Sequence, residues 1–243
     1  LAERKINHER QVKNMNNDVI ILAEIVSAVL CFILVRFMMK PYQYTGESRY
    51  IGLPLGFSFL GASYLLMGLA SFFETTLFVE DIKWLQLFTQ AYAFAFLTAT
   101  YYFSKQTLER NTRLWWQIIF SGLVVGAIAS YLIVFEPPLF ALPSYKIVDE
   151  YFRGLNIILV SYISIHTLRS HALKPDPNTI WIPLGYILLA FGQYSSLIWS
   201  LDSSSSAFVG AHAIRLAALL VFLLVAYKTF AAPQNETTKS KGS

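Results

Sequence analysis

Charge is the first thing this sequence is short of. Asp, Glu, Lys and Arg make up 14% of its 243 residues, where soluble domains carry about 25%. Apolar residues are 55% and aromatics 16%, and mean hydropathy is +0.48. A soluble domain of this composition would have to coat itself without charges, which excludes that class. Cysteine is nearly missing. The single Cys31 lies in an apolar run, so neither an intramolecular disulfide nor a Cys/His metal cluster can form. The net charge of +4 is spread over short loops, not gathered into a patch, and this excludes a nucleic-acid partner. No Gly-rich phosphate loop, Gly-x-Ser-x-Gly elbow or His-Glu-x-x-His run occurs. His166 and His171 are five apart, which spreads them around a helix. His166 and His212 stand near opposite ends of their runs, so they cannot share a haem. No enzyme activity, metal or cofactor is expected.

What is present is a series of long apolar runs. A helix that spans a bilayer needs about 20 mostly apolar residues. Seven such runs cover 19–39, 51–73, 84–104, 114–135, 151–173, 180–201 and 208–230. The breaks carry turn chemistry: Lys40-Pro41, Glu136-Pro137-Pro138, Lys174-Pro175-Asp176-Pro177 and the serine run 203–206. None is long enough for a folded soluble domain. The expected architecture is an all-α integral membrane protein, with a seven-helix domain over 18–231 between polar tails 1–17 and 232–243. Trp84, Trp115, Trp116, Tyr151, Trp181 and Trp199 stand near the span ends, where such rings anchor at the bilayer interface.

Direction follows from the Lys/Arg bias of short loops. Loops after the odd spans, with the tail, hold Arg36, Lys40, Arg49, Lys105, Arg110, Arg113, Arg169, Lys174, Lys228, Lys239 and Lys241. Loops after the even spans hold only Lys83, Lys146 and Arg153, among Glu74, Glu80, Asp81, Glu136, Asp149, Glu150 and Asp202. The N-terminus is therefore expected outside and the C-terminus in the cytoplasm, in the plasma membrane. Arg4, Lys5, Arg10 and Lys13 oppose this orientation, and a start at Met15 would remove all four. Residues 1–14 read as an upstream extension or processed remnant. The Asn235-Glu236-Thr237 glycosylation pattern falls on the cytoplasmic side and is inert there.

An internal repeat runs through the chain. Leu53-Pro54-Leu55-Gly56-Phe57 opens the second span and Ile182-Pro183-Leu184-Gly185-Tyr186 the sixth, at an offset of 129. The third and seventh spans align at an offset of 125, bringing Gln90 onto Arg215 and Tyr102 onto Tyr227. The first and fifth align at 132, bringing Glu24 onto Asn156. Repeat A is then 19–104 and repeat B 151–230, with span four (114–135) as linker: a parallel 3+1+3 arrangement.

On these spans and this repeat, the chain resembles the superfamily of microbial rhodopsins, SWEET/PQ-loop sugar transporters and the seven-span sensor domains of prokaryotic histidine kinases. The opsin pattern departs at the retinal lysine: Ala217, Ala218 and Leu219 occupy that depth, and Lys228 sits at the cytoplasmic end. The sugar-transporter pattern matches at Pro54 and Pro183, but spans one and five lack its prolines and no Pro-Gln pair occurs. The Arg-Leu-Ala-Ala-Leu-Leu texture of 215–220 is most similar to the sensor domains.

An ionisable residue at mid-span costs about 2.5–3.5 kcal/mol on insertion scales, so it tends to be paired and functional. Glu24 and Arg215 are the two that lie well inside, at similar depths and with opposite signs. Asn156, Gln90, Tyr64, Gln193 and His212 fall near the same layer. Glu24, Tyr64, Gln90, Asn156, Gln193, His212 and Arg215 thus form a polar stratum in the outer half. It reads as a register-fixing polar network, as a pocket for a small ligand or ion, or as a proton relay.

The leading expectation is a receptor-like sensor that binds a small ligand or ion and signals through a cytoplasmic partner. The alternatives are a small-solute transporter and a cofactor-free accessory subunit among other membrane-complex subunits. A transporter needs polar residues in the inner half, where 29–35, 94–100 and 219–225 are apolar apart from Thr98 and Thr100. An accessory subunit needs a small-residue face, for which Gly122, Gly126 and Ala129 are candidates. The topology is testable directly. Cysteines placed at Ser204 and Ser240 should label from opposite sides of intact cells, the first from outside; labelling from one side would refute an odd span number.

Overall fold

The computed structural model describes residues 2–73, 78–104, 110–135, 144–175, 179–202 and 204–230; the side chains of 2–17, 49, 110, 111 and 205 are left out of the account. The described residues form seven α-helices and no strand. They are α1 (Ala2–Thr45), α2 (Gly52–Phe72), α3 (Val79–Ser104), α4 (Arg110–Phe135), α5 (Tyr145–Leu173), α6 (Trp181–Asp202) and α7 (Ser205–Phe230), with a 3-10 turn at Ser48–Ile51. Every apolar run falls within a helix or overlaps nearly all of one. The loop residues Glu74, Lys105, Glu136 and Asp176, and the tail with Asn235, Lys239 and Lys241, lie outside the described residues.

Among the described residues, five helical segments are long and apolar enough to cross a membrane: Asp18–Thr45, Gly52–Phe72, Thr112–Phe135, Trp181–Asp202 and Ser206–Phe230. Helices α3 and α5 are equally long but more polar, and several of their polar side chains face inward. Gln86, Thr89, Gln90 and Thr100 of α3 are buried, as are Asp149, Asn156, Ser164 and Thr167 of α5. Polar groups buried in an apolar bundle need partners. Thr100, Ser164 and Thr167 find theirs on carbonyls of the preceding turn.

Lys40-Pro41 does not end the first helix, contrary to the turn read from sequence. Helix α1 continues through Pro41 to Thr45, and the chain turns at Gly46, which has φ 67°. The Thr45 hydroxyl donates to the Pro41 carbonyl at 2.8 Å and accepts from Glu47 N–H at 3.2 Å. Pro54 and Pro183, by contrast, each sit in the first turn of their helix, where a missing N–H costs nothing.

Helices α1, α2, α3, α5, α6 and α7 pack in that order as a closed ring, α7 returning to α1, while α4 packs on α3 outside it. Only 6% of α4's apolar stretch is buried, against 50% of α2's. Its ties to α3 are Tyr92 Oη to Ser130 Oγ (3.0 Å) and Thr89 Oγ1 to Tyr131 Oη (3.1 Å). Gly126 faces Tyr92 Oη, 2.9 Å from where a Cβ would stand, so it belongs to this seam and not to a free small-residue face.

The ring encloses an apolar core that includes Leu34, Phe57, Phe94, Leu97, Ile163, Tyr186 and Phe222. Phe222 meets Phe57 edge-on at 5.7 Å and Tyr186 at 4.7 Å. Glycines allow the close approaches: a Cβ at Gly56 would lie 2.5 Å from Leu97 Cγ, and one at Gly185 would lie 2.7 Å from the Phe222 ring. Gly56→Val should therefore destabilise the protein by about 1–3 kcal/mol through overpacking. Gly122→Ala on α4, with nothing within 4 Å, should be neutral or stabilising by up to about 1 kcal/mol. Thermal unfolding of the two purified variants, followed by size-exclusion fluorescence, checks the contrast.

Candidate functional site

Polar chemistry collects in the half of the ring that holds the N-terminal turns of α3, α5 and α7. Its centre is an ion pair between the first and last helices. Arg215 Nη2 donates to Glu24 Oε1 at 2.9 Å, with the Glu24 side chain 2% exposed and that of Arg215 13%. The Arg215 guanidinium also lies over the Tyr64 ring, 4.3 Å from its centroid. Cation–π contact and carboxylate together offset the loss of water around a buried cation.

His212 approaches the same carboxylate oxygen. Its Nε2 is 3.2 Å from Glu24 Oε1, an ion-pair distance whose direction does not satisfy a hydrogen bond. Its Nδ1 is 2.9 Å from the Phe208 carbonyl; a carbonyl only accepts, so Nδ1 carries a proton there. Trp199, Phe208 and His212 pack in succession with tilted rings, at 5.1 and 4.3 Å between centroids.

These groups line one cavity of about 40 Å³, room for roughly three waters by the volume one probe sphere needs. Glu24, Tyr64, Gln90, Gln193, His212 and Arg215 all border it, which brings together six of the seven residues read from sequence. Asn156 is fully buried but is not among the lining residues; neither side-chain polar atom has a protein partner. Glu24 Oε2, Tyr64 Oη, Gln193 Oε1, His212 Nε2 and Arg215 Nε are likewise buried without a hydrogen-bond partner. So many unpaired buried polar atoms around one cavity are rare in folded proteins, where each costs about 1–3 kcal/mol.

Sequence reading missed Gln86, Arg153, Ser196 and Trp199, which also line the cavity. Gln86 Nε2 donates to Ser63 Oγ at 3.2 Å. Arg153, assigned from sequence to an outer loop with Asp149, lies instead in the first turns of α5. Its Nε donates to Asp149 Oδ2 at 2.7 Å, and Ser200 of α6 donates to the same oxygen at 3.0 Å. The i,i+4 spacing of Asp149 with Arg153, and of Gln86 with Gln90, was the available signal, since such pairs share a helix face.

No family model, curated protein or solved structure matches the chain. Function is therefore read from the site's own chemistry.

Breaking the pair tests its weight. Glu24→Gln or Arg215→Gln alone strands the partner charge and should cost about 3–5 kcal/mol of stability. The double variant removes both charges and should regain much of that loss. Small, additive effects in a thermal-unfolding double-mutant cycle would show that the two side chains do not interact.

Proposed function

We propose that the protein is a seven-span membrane sensor, N-terminus outside, that binds a small ligand or ion in its outer half and signals through a separate partner at its basic inner end. The observation that carries this reading is the convergence of unpaired buried polar atoms on the Glu24–Arg215 cavity. A network meant only to fix helix register would satisfy its own donors and acceptors. The cavity's size favours an ion or a molecule of a few atoms over a sugar.

The parallel repeat belongs to the same reading, and equivalent contacts support it. The sequence offsets carry Gly56 onto Gly185 and Leu97 onto Phe222, and both glycines meet their partners closely. They also carry Ser63 onto Gly192 and Gln86 onto Ala211. Ser63 Oγ donates to the Gln86 carbonyl at 3.3 Å, and a Cβ at Gly192 would stand 3.6 Å from the Ala211 carbonyl. The linker role of span four is supported by α4 packing outside the ring.

The apolar core below the cavity favours a sensor over a transporter. Leu34, Phe57, Phe94, Leu97 and Phe222 pack the inner half of the ring, so a solute leaving the cavity would meet an apolar layer. An accessory-subunit role would use the outward face of α4, where Gly122 and Ala129 are exposed while Gly126 is committed to α3.

Thermal unfolding with chloride, formate, sodium and ammonium as separate probes tests ligand binding. One of them should raise the melting temperature, by the equivalent of about 2.7 kcal/mol at a hundred times its dissociation constant. The Glu24→Gln/Arg215→Gln variant should stay folded and lose the shift. Protection that survives in the double variant would remove the cavity from the reading.

A further inference from the structure

A second pocket opens at the other end of the bundle, where α3 and α5 finish and α6 begins. It encloses about 280 Å³, close to the lower bound of about 300 Å³ for small-molecule sites. Its polar lining includes His166, Thr167, Ser170, His171, Lys174 and Thr179, and no acidic residue stands among the described lining residues. An ammonium set among imidazole and hydroxyl groups offers an anion both charge and hydrogen bonds.

Two lysines at this end of the ring are held differently. Lys40, followed by Pro41, donates from Nζ to the Phe230 carbonyl at 3.0 Å and lies over the Phe37 and Phe230 rings at 5.6 and 5.7 Å. Lys174, followed by Pro175, is the capping residue after α5, whereas Lys40 lies inside α1. Its backbone N–H caps the helix on Ser170 and His171 carbonyls, and its exposed side chain borders the pocket. One lysine seals a helix seam; the other is held at a pocket rim.

His171 is oriented for the same task. Its Nδ1 is 2.9 Å from Thr179 Oγ1. With the hydroxyl donating, the ring takes the tautomer that carries its proton on Nε2, a second donor for an anion. The pocket also sits at the start of α6, beside Ile182 and Pro183, at the level where an apolar run gives way to polar chain and where bilayer phosphates lie.

We propose that this pocket binds a phosphate monoester or inorganic phosphate, with Lys174 supplying charge and His171 and Ser170 supplying hydrogen bonds. A phosphomonoester carries about −1.5 to −2 charges and three acceptor oxygens near pH 7, which suits one ammonium set among several donors. The source is a lipid headgroup in the adjoining leaflet or a free phosphate, and the site's chemistry is the same for both. It is separate from the Glu24–Arg215 cavity and does not depend on the sensor reading.

The test titrates the detergent-solubilised full chain with dioctanoyl phosphatidic acid, dioctanoyl phosphatidylcholine and inorganic phosphate, read by isothermal calorimetry. Saturable binding of phosphatidic acid, but not phosphatidylcholine, is expected, weakened about tenfold or more in Lys174→Gln and His171→Gln. Arg169→Gln, an exposed cation on α5 outside the lining, should bind like the parent. Inorganic phosphate binding with the same variant pattern would identify free phosphate as the source. Binding of neither probe, or equal weakening by Arg169→Gln and Lys174→Gln, would overturn the proposal, the second outcome because it marks diffuse surface attraction. Circular dichroism and melting of each variant separate lost binding from lost folding.

Discussion

Closing the ring requires α7 to return to α1, and that seam is held by charge at two levels. The Glu24–Arg215 pair joins the helices in one half, and Lys40 reaches the last described carbonyl of α7 in the other. Neither contact is local: 191 and 190 residues separate the partners. Between apolar helices in a bilayer there is little hydrophobic drive to associate, because lipid tails are as apolar as the side chains. Directional contacts of this kind then decide which helix neighbours which.

The pair also sets the character of the space around it. A buried ion pair is weak evidence of net stability, since desolvation consumes much of its attraction. Here the Tyr64 ring and His212 crowd the same two groups, so the charges organise their surroundings as well as each other. In the opposite half the ring is filled by aromatic and aliphatic side chains meeting edge-on. One bundle thus gathers cavity-lining polar groups toward its two ends, with an apolar layer between them.

Much of this was legible from the sequence because a charge in an apolar run stands out. Glu24 and Arg215 announced themselves by sign and depth, and Gln193 and Gln90 by being polar where neighbours are not. Arg153 and Gln86 were hidden for the opposite reason. Arg153 was counted with a loop, and Gln86 stands at the polar start of the third apolar run, where only i,i+4 spacing reveals a face. Pro41 misled because proline usually ends a helix, yet α1 runs one more turn and stops at a glycine able to take positive φ. Asn156 was drawn in by the repeat offset from Glu24, and depth along a helix does not fix the direction around it.

The separation of Glu24 from Arg215 has a consequence for how such a chain is made. If helices enter the bilayer in order of synthesis, Glu24 arrives with the first and its cation with the last. At about 5–20 residues per second, the 191 residues between them impose a wait of roughly 10–40 s. During that interval the carboxyl group has no arginine, and the first helix must stay in place on apolar content alone. Its stretch Asp18–Thr45 has a hydropathy of 2.6, above that of the other four apolar helices, which offsets part of the cost of one unpaired acid, about 2.5–3.5 kcal/mol at mid-span. The greasiness of α1 thus serves the period before the fold exists.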